Sequence, residues 1–149
     1  MAYKTDGWMD APWIGVDLDG TLFEYHEWIA WNKFGKPIPK MMERVKAWVA
    51  GGQRVKIFTA RVCGPANKVC KVSRAEITVE MMRSAIQDLL EQSGLPRLEV
   101  TAEKDYNMVE LWDDRAIQVV PNTGLTLSEE YEAEILARTG KSWKPGGVA

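Results

Sequence analysis

The stretch Trp13-Ile14-Gly15-Val16-Asp17-Leu18-Asp19-Gly20-Thr21 decides the fold. An apolar run of four residues that passes directly into acid-x-acid-glycine reads as a short strand, buried on both faces, ending in a polar turn. Four further apolar runs repeat the pattern: Arg54-Val55-Lys56-Ile57-Phe58, Leu98-Glu99-Val100, Val109-Glu110-Leu111-Trp112 and Ile117-Gln118-Val119-Val120. Helical spacing separates them. Ile38, Met41, Met42, Val45, Trp48 and Val49 fall three and four residues apart ahead of Gly51-Gly52, and Met82, Ala85, Ile86, Leu89 and Leu90 do so ahead of Gly94 and Pro96. Runs of period two or less alternating with crossover helices predict an α/β chain with a parallel sheet of five strands. Thr126 and Glu129 have capping-box spacing ahead of Tyr131, Ile135 and Leu136, with Gly140 beyond, so a C-terminal helix is expected to pack back on the sheet.

A chain of 149 residues, 46% of them hydrophobic, has enough apolar surface for one core and too little for two. The expectation is one domain over residues 1–149, with its core at about 13–138 and a mobile tail at about 141–149, KSWKPGGVA. A net charge of -2, from 19 basic and 21 acidic residues, gives no global attraction to nucleic acid or anionic lipid. No apolar run reaches membrane-spanning length, and MAYKTDGWMDAP lacks the apolar centre of a secretory signal, so a cytoplasmic protein without a membrane partner is expected. Cys63 and Cys70 read as free thiols. With His26 they would make three zinc ligands, but no closely spaced ligand pair is present. The methionines at 41, 42, 81, 82 and 108 read as core filler.

In an open parallel sheet, ligands gather beyond the carboxyl ends of the strands. The residues there are polar: Asp17-Leu18-Asp19-Gly20-Thr21, Thr59-Ala60-Arg61 and Asp113-Asp114-Arg115, with Lys104 just past the third run. Three or four carboxylates drawn into one crevice repel one another by several kcal/mol unless a cation lies among them. An all-oxygen donor set suits Mg²⁺. The chemistry that fits is phosphoryl transfer: Asp17 as nucleophile, Asp19 as the acid and base of the two half-reactions, Thr59 as a hydrogen-bond donor to phosphate, and Lys104 as the neutralising charge. Gly20 allows a sharp turn whose amides are expected to face the phosphate, with Thr21, Ala60 and Arg61 beside them.

These residues resemble the haloacid dehalogenase superfamily. Its four signatures occur in order: hhhDxDGT in WIGVDLDGT, hhhhT in VKIFTAR, a lysine at Lys104 and hhhhDD in VELWDDR, together covering roughly residues 13 to 121. The resemblance implies a three-layer Rossmann-like fold with strand order 3-2-1-4-5. It also implies Mg²⁺ held by the carboxylates of Asp17 and Asp113 and the backbone carbonyl of Asp19, with Asp114 assisting. An acid at Asp19 is the family's phosphatase pattern, so the implied activity is phosphomonoester hydrolysis. Lys104 is the natural lysine of the set, and Lys56, inside a strand, is the alternative. The segments from Phe23 to Pro37 and from Val62 to Ser73 are too short for the cap domain of larger members, which implies an open site.

Substrate signals are weaker. The segment from Arg61 to Arg74 carries Arg61, Lys68, Lys71 and Arg74 and no acid, which reads either as a rim for a nucleotide or a phosphorylated nucleic-acid end, or as a solvated loop. Tyr25, Trp28, Trp31 and Phe34 crowd the segment after the first motif, where they either stack on a base or pack that segment onto the body or a second subunit. Arg115 reads as a salt-bridge partner of Asp114 or a substrate contact. Two other functions stay open: a phosphotransferase, and a non-catalytic binding module that keeps the fold and the metal.

Overall fold

The structure is a computed structural model that describes residues 11–73 and 76–141. Arg74 of the basic loop and most of the C-terminal tail lie outside the described residues. The chain divides into two compact units, Met1–Asp114 and Arg115–Ala149.

The first unit is an α/β arrangement built on strands β1 (Trp13–Val16), β2 (Arg54–Phe58), β3 (Glu99–Thr101) and β4 (Met108–Trp112). All pairings are parallel and the order is β3-β2-β1-β4. β1 lies inside the sheet and all four of its residues are buried, which is why its sequence is apolar throughout instead of alternating. In β2 the alternation returns, with Val55 and Ile57 buried and Arg54, Lys56 and Phe58 half-buried. Helix α1 (Pro39–Ala50) links β1 to β2 and helix α2 (Val79–Gln92) links β2 to β3. Pro39 starts α1 with the φ a first turn needs, and Gly52, at φ 80°, carries the chain out of it. The Thr78 hydroxyl caps α2 by accepting from the Met81 amide.

Val16, Leu18, Leu22, Phe23, Val45, Ile57, Val79, Met82, Ile86 and Leu90 form the centre of one core. Each such side chain contributes about 1.5–3 kcal/mol by leaving water. Leu18, Leu22 and Phe23 belong to the turn after β1, so the segment that carries Asp17 and Asp19 is nailed down by fully buried neighbours. No domain-sized insertion follows either of the first two motifs, since α1 begins at Pro39 and α2 at Val79.

The expected five strands are four among the described residues, and the order ends at β4. Residues 117–120 are β-branched enough to read as a strand, yet their pairing is local. Val119 bridges Thr126 in antiparallel fashion, and the Val120 amide donates to the Leu125 carbonyl. The cause is the turn Pro121-Asn122-Thr123-Gly124, in which Asn122 and Gly124 both take positive φ and fold the chain back on itself. The second unit continues into helix α3 (Leu127–Thr139), which has the expected capping box between Thr126 and Glu129 and a left-handed Gly140 at its end. The four-stranded parallel sheet with its crossover helices is compatible with a Rossmann-like fold.

Candidate metal and catalytic site at the strand ends

The parallel sheet brings the ends of β1 and β4 together, and the Asp17 amide donates to the Trp112 carbonyl at 2.9 Å. Asp17, Asp113 and Asp114 each present a carboxylate oxygen, and these oxygens lie within 4.8 Å of one another. Thr21 ties the group. Its hydroxyl accepts from the Asp114 amide at 3.0 Å and stands 3.3 Å from both Asp17 Oδ2 and Asp114 Oδ1, so it donates to one of the two. Gly20, at φ 87°, makes the turn, and a Cβ there would lie 2.7 Å from Asp114 Oδ2. Glycine is what lets this carboxylate come so close. The Gly20 amide itself donates to the Phe23 carbonyl at 2.7 Å, within the turn.

Burial pushes the Asp17 carboxyl up to about 7, helped by its hydrogen bond with Asp114 and by the charges of Asp113 and Asp114. A carboxyl so raised is one whose ionised form lacks a counter-charge. Three convergent oxygen ligands with an unmet demand for positive charge fit a hard divalent cation such as Mg²⁺.

Asp19 has a different setting. Both of its carboxylate oxygens accept from Arg61, from Nε at 2.6 Å and from Nη2 at 2.7 Å. Arg61 is only 4% exposed, and its guanidinium carbon stands over the rings of Trp28 and Phe34, 4.7 Å from each centroid. Arg61 Nη1 is buried and has no hydrogen-bond partner among the described residues. This clamp was not legible in the sequence: Arg61 read as a substrate contact and the aromatics as base-stackers or packing. Asp19 and Arg61 are 42 residues apart and meet only because β1 and β2 are neighbours.

Thr59 follows β2 directly, is buried, and receives the Arg61 amide on its hydroxyl at 3.2 Å. Ala60 opens the short 3₁₀ helix Ala60–Val62. Lys104 is exposed in the loop between β3 and β4 and is held by no hydrogen bond or ion pair among the described residues. Its neighbour Asp105 fixes that loop by accepting from the Trp13 indole and the Asn107 amide, both at 2.8 Å. Lys56, the alternative lysine, is engaged elsewhere: its ammonium sits over the Trp13 ring at 4.6 Å and pairs with Glu99 and Asp105. Of the basic loop, Lys68 and Lys71 are exposed. Cys63 and Cys70 are free thiols, the second buried.

No family model matches the chain, and no curated protein matches it. Among solved structures the chain is similar to a conserved protein from Bacteroides thetaiotaomicron, at 17% identity over 89% of this chain and 94% of that one, with a TM-score of 0.47. A likeness of that size carries no argument about fold or function. Among the described residues the chain is α/β with a parallel sheet, has an acidic cluster at its strand ends and has no helix long and apolar enough to cross a membrane.

Proposed function

We propose that this protein is a Mg²⁺-dependent phosphomonoester hydrolase of the haloacid dehalogenase type, acting on a phosphorylated small molecule or nucleotide through an aspartyl-phosphate on Asp17. The observation that carries the reading is the convergence of Asp17, Asp113 and Asp114 at the ends of two neighbouring parallel strands. Asp19 stands two positions beyond Asp17, with Leu18 between them.

Asp17, Asp113 and Asp114 would hold the cation, with the Asp19 carbonyl as a further ligand implied by the family resemblance. A divalent ion there supplies the positive charge that lets an anionic nucleophile approach an anionic phosphate. In the first half-reaction Asp19, released from one of its two Arg61 donors, carries a proton from solvent; an Asp17 oxygen bonds to phosphorus while the bond from phosphorus to the ester oxygen breaks, and the departing oxygen takes that proton. In the second, a water gives its proton to Asp19 and its oxygen to phosphorus, the Asp17–phosphorus bond breaks, and both carboxyls return to their starting state. Thr59, whose hydroxyl accepts from the Arg61 amide, keeps its own proton to donate to a phosphate oxygen. Lys104 in this reading swings from solvent to the transferred group.

One observation favours a second reading. Asp19 is paired with Arg61 through both oxygens, which is also how a purely structural carboxylate in a metal-binding interaction module would be held. The two readings part on one assay: release of phosphate from an aryl phosphate with Mg²⁺, compared between the native chain and Asp17→Asn. The hydrolase reading expects turnover that Asp17→Asn abolishes. Equal rates, or none on a broad phosphate panel, would support the module.

A further inference from the structure

We infer that the substrate carries a second anionic oxygen group, a carboxylate or a further phosphate, which Arg61 and Lys33 hold in the cavity between Asp19 and the loop of residues 24–35. The inference rests on the hydrolase reading above and names the class of ester. It begins from an unmet donor. Arg61 is 4% exposed; its Nε and Nη2 donate to Asp19, while Nη1 is buried with no hydrogen-bond partner among the described residues. A buried charged donor without an acceptor is a standing cost, which a ligand oxygen removes. The rings of Trp28 and Phe34, with centroids 4.7 Å from the guanidinium carbon, are weak acceptors and do not replace an oxygen.

Arg61 forms part of the wall of a cavity of about 180 Å³, which Asp19, Glu24, Glu27, Lys33 and Phe34 also line. That volume falls below the range of about 300–1,000 Å³ that holds drug-sized ligands, so it takes the charged end of a small molecule. The guanidinium is planar, so the nitrogen that Asp19 does not use points away from that carboxylate. The site therefore serves with Asp19 ionised on both donors, as in the structure, and equally after Asp19 has left one of them. Nη1 is out of contact with water, so the ligand displaces a side chain to reach it. Half-buried Phe34, which both lines the cavity and stands under the guanidinium, is the one in position to move.

Lys33 supplies the charge. It is exposed, and its ammonium makes no hydrogen bond or ion pair among the described residues. Asp19 is offset by Arg61, so Lys33 meets the charge of an incoming anion while Nη1 gives it direction. The two other acids of the wall oppose this weakly: Glu24 and Glu27 are exposed and screened by water, and Glu24 has His26 beside it at 3.8 Å. The loop that carries Lys33 and Phe34 is closed at its neck by the Glu24 amide donating to the Lys36 carbonyl at 2.8 Å and by the bridge between Phe23 and Pro37. Gly35 lies so close to the Glu24 backbone that a Cβ there would come within 1.8 Å of its carbonyl oxygen. This neck keeps Lys33 on the same cavity as Arg61.

The test is phosphate release by the full chain with Mg²⁺ from matched esters, with an aryl phosphate as reference. Phosphoglycolate is set against ethyl phosphate and phosphoglycerate against glycerol phosphate, which reads a carboxylate; glycerol bisphosphate against glycerol phosphate reads a further phosphate. In at least one of these arms kcat/KM should be higher for the ester with the second anion by about tenfold or more, and the arm that shows it names the group. Arg61→Lys should shrink that ratio, but it also loosens Asp19. Lys33 is exposed, so Lys33→Glu should fold normally and shrink the ratio several-fold, with Lys33→Ala between. Ratios near one or below in every arm, or a preference unmoved by Lys33→Glu, overturn the inference alone. No turnover of any ester, the aryl phosphate included, overturns the hydrolase reading and the inference falls with it.

Discussion

Asp19 and Arg61 form a two-point ion pair, at 2.6 and 2.7 Å, and the arginine of that pair is packed against the rings of Trp28 and Phe34. One contact thus joins the turn after β1, the end of β2 and the aromatic segment before α1. A planar fork with two parallel donors orients a carboxylate as a lysine cannot. Arg61→Ala removes the fork and its packing against two rings, leaving Asp19 without its counter-charge. We expect a stability loss of about 3 kcal/mol, and Arg61→Lys to recover only part of it, read from urea midpoints. An Arg61→Ala midpoint equal to the native one would show that the pair contributes nothing to the fold.

The raised Asp17 carboxyl makes stability depend on pH in a definite direction. Its folded value of about 7 lies above the ordinary 3.8, so between those values the folded chain binds more proton than the unfolded one. Stability from this group is therefore present below pH 4 and declines as pH rises toward 7. With a chelator present, the thermal midpoint should fall between pH 5 and pH 8 more than in Asp17→Asn. Adding Mg²⁺ should restore the midpoint at pH 8, because the cation supplies the missing charge. A midpoint at pH 8 that Mg²⁺ leaves unchanged would count against a cation site.

Thr21 touches two of the three clustered acids, and its hydroxyl takes the Asp114 amide. Thr21→Val keeps the shape and deletes those bonds. Groups that orient metal ligands typically govern affinity by about 10- to 100-fold, so calorimetric titration with Mg²⁺ should show weakening of that order. Affinity within a factor of about two of the native value would mean that Thr21 does not orient the acids.

Gly35 sets the neck of the aromatic loop. A methyl group within 1.8 Å of the Glu24 carbonyl oxygen cannot be accommodated by rotating a side chain, since the obstacle is backbone. Gly35→Ala should cost roughly 2 to 4 kcal/mol and open the loop to limited proteolysis within residues 24–35. Native resistance to protease in that variant would contradict the closed neck.

What could be read from the sequence follows from range. β1 and the acids after it were legible because an apolar run and its polar end are neighbours in the chain, and α1 and α2 were legible because three- and four-residue spacing repeats locally. The run at 117–120 misled for the converse reason: its composition is that of a strand, but the Asn122 and Gly124 turn gives it a local partner. The Asp19–Arg61 clamp was not legible at all, since nothing near either residue announces the other. The joint placement of Asp17, Asp113 and Asp114 was legible only through the strand ends, not through spacing, as 96 positions separate Asp17 from Asp113.

The central claim is that Asp17 carries the phosphoryl group. Acid quenching of the chain during turnover of an aryl phosphate with Mg²⁺, followed by peptide mass mapping, tests it most directly. The account predicts an added phosphoryl group on the peptide containing Asp17, absent from Asp17→Asn. Turnover with no phosphorylated peptide, or with the group on a peptide lacking Asp17, would contradict it.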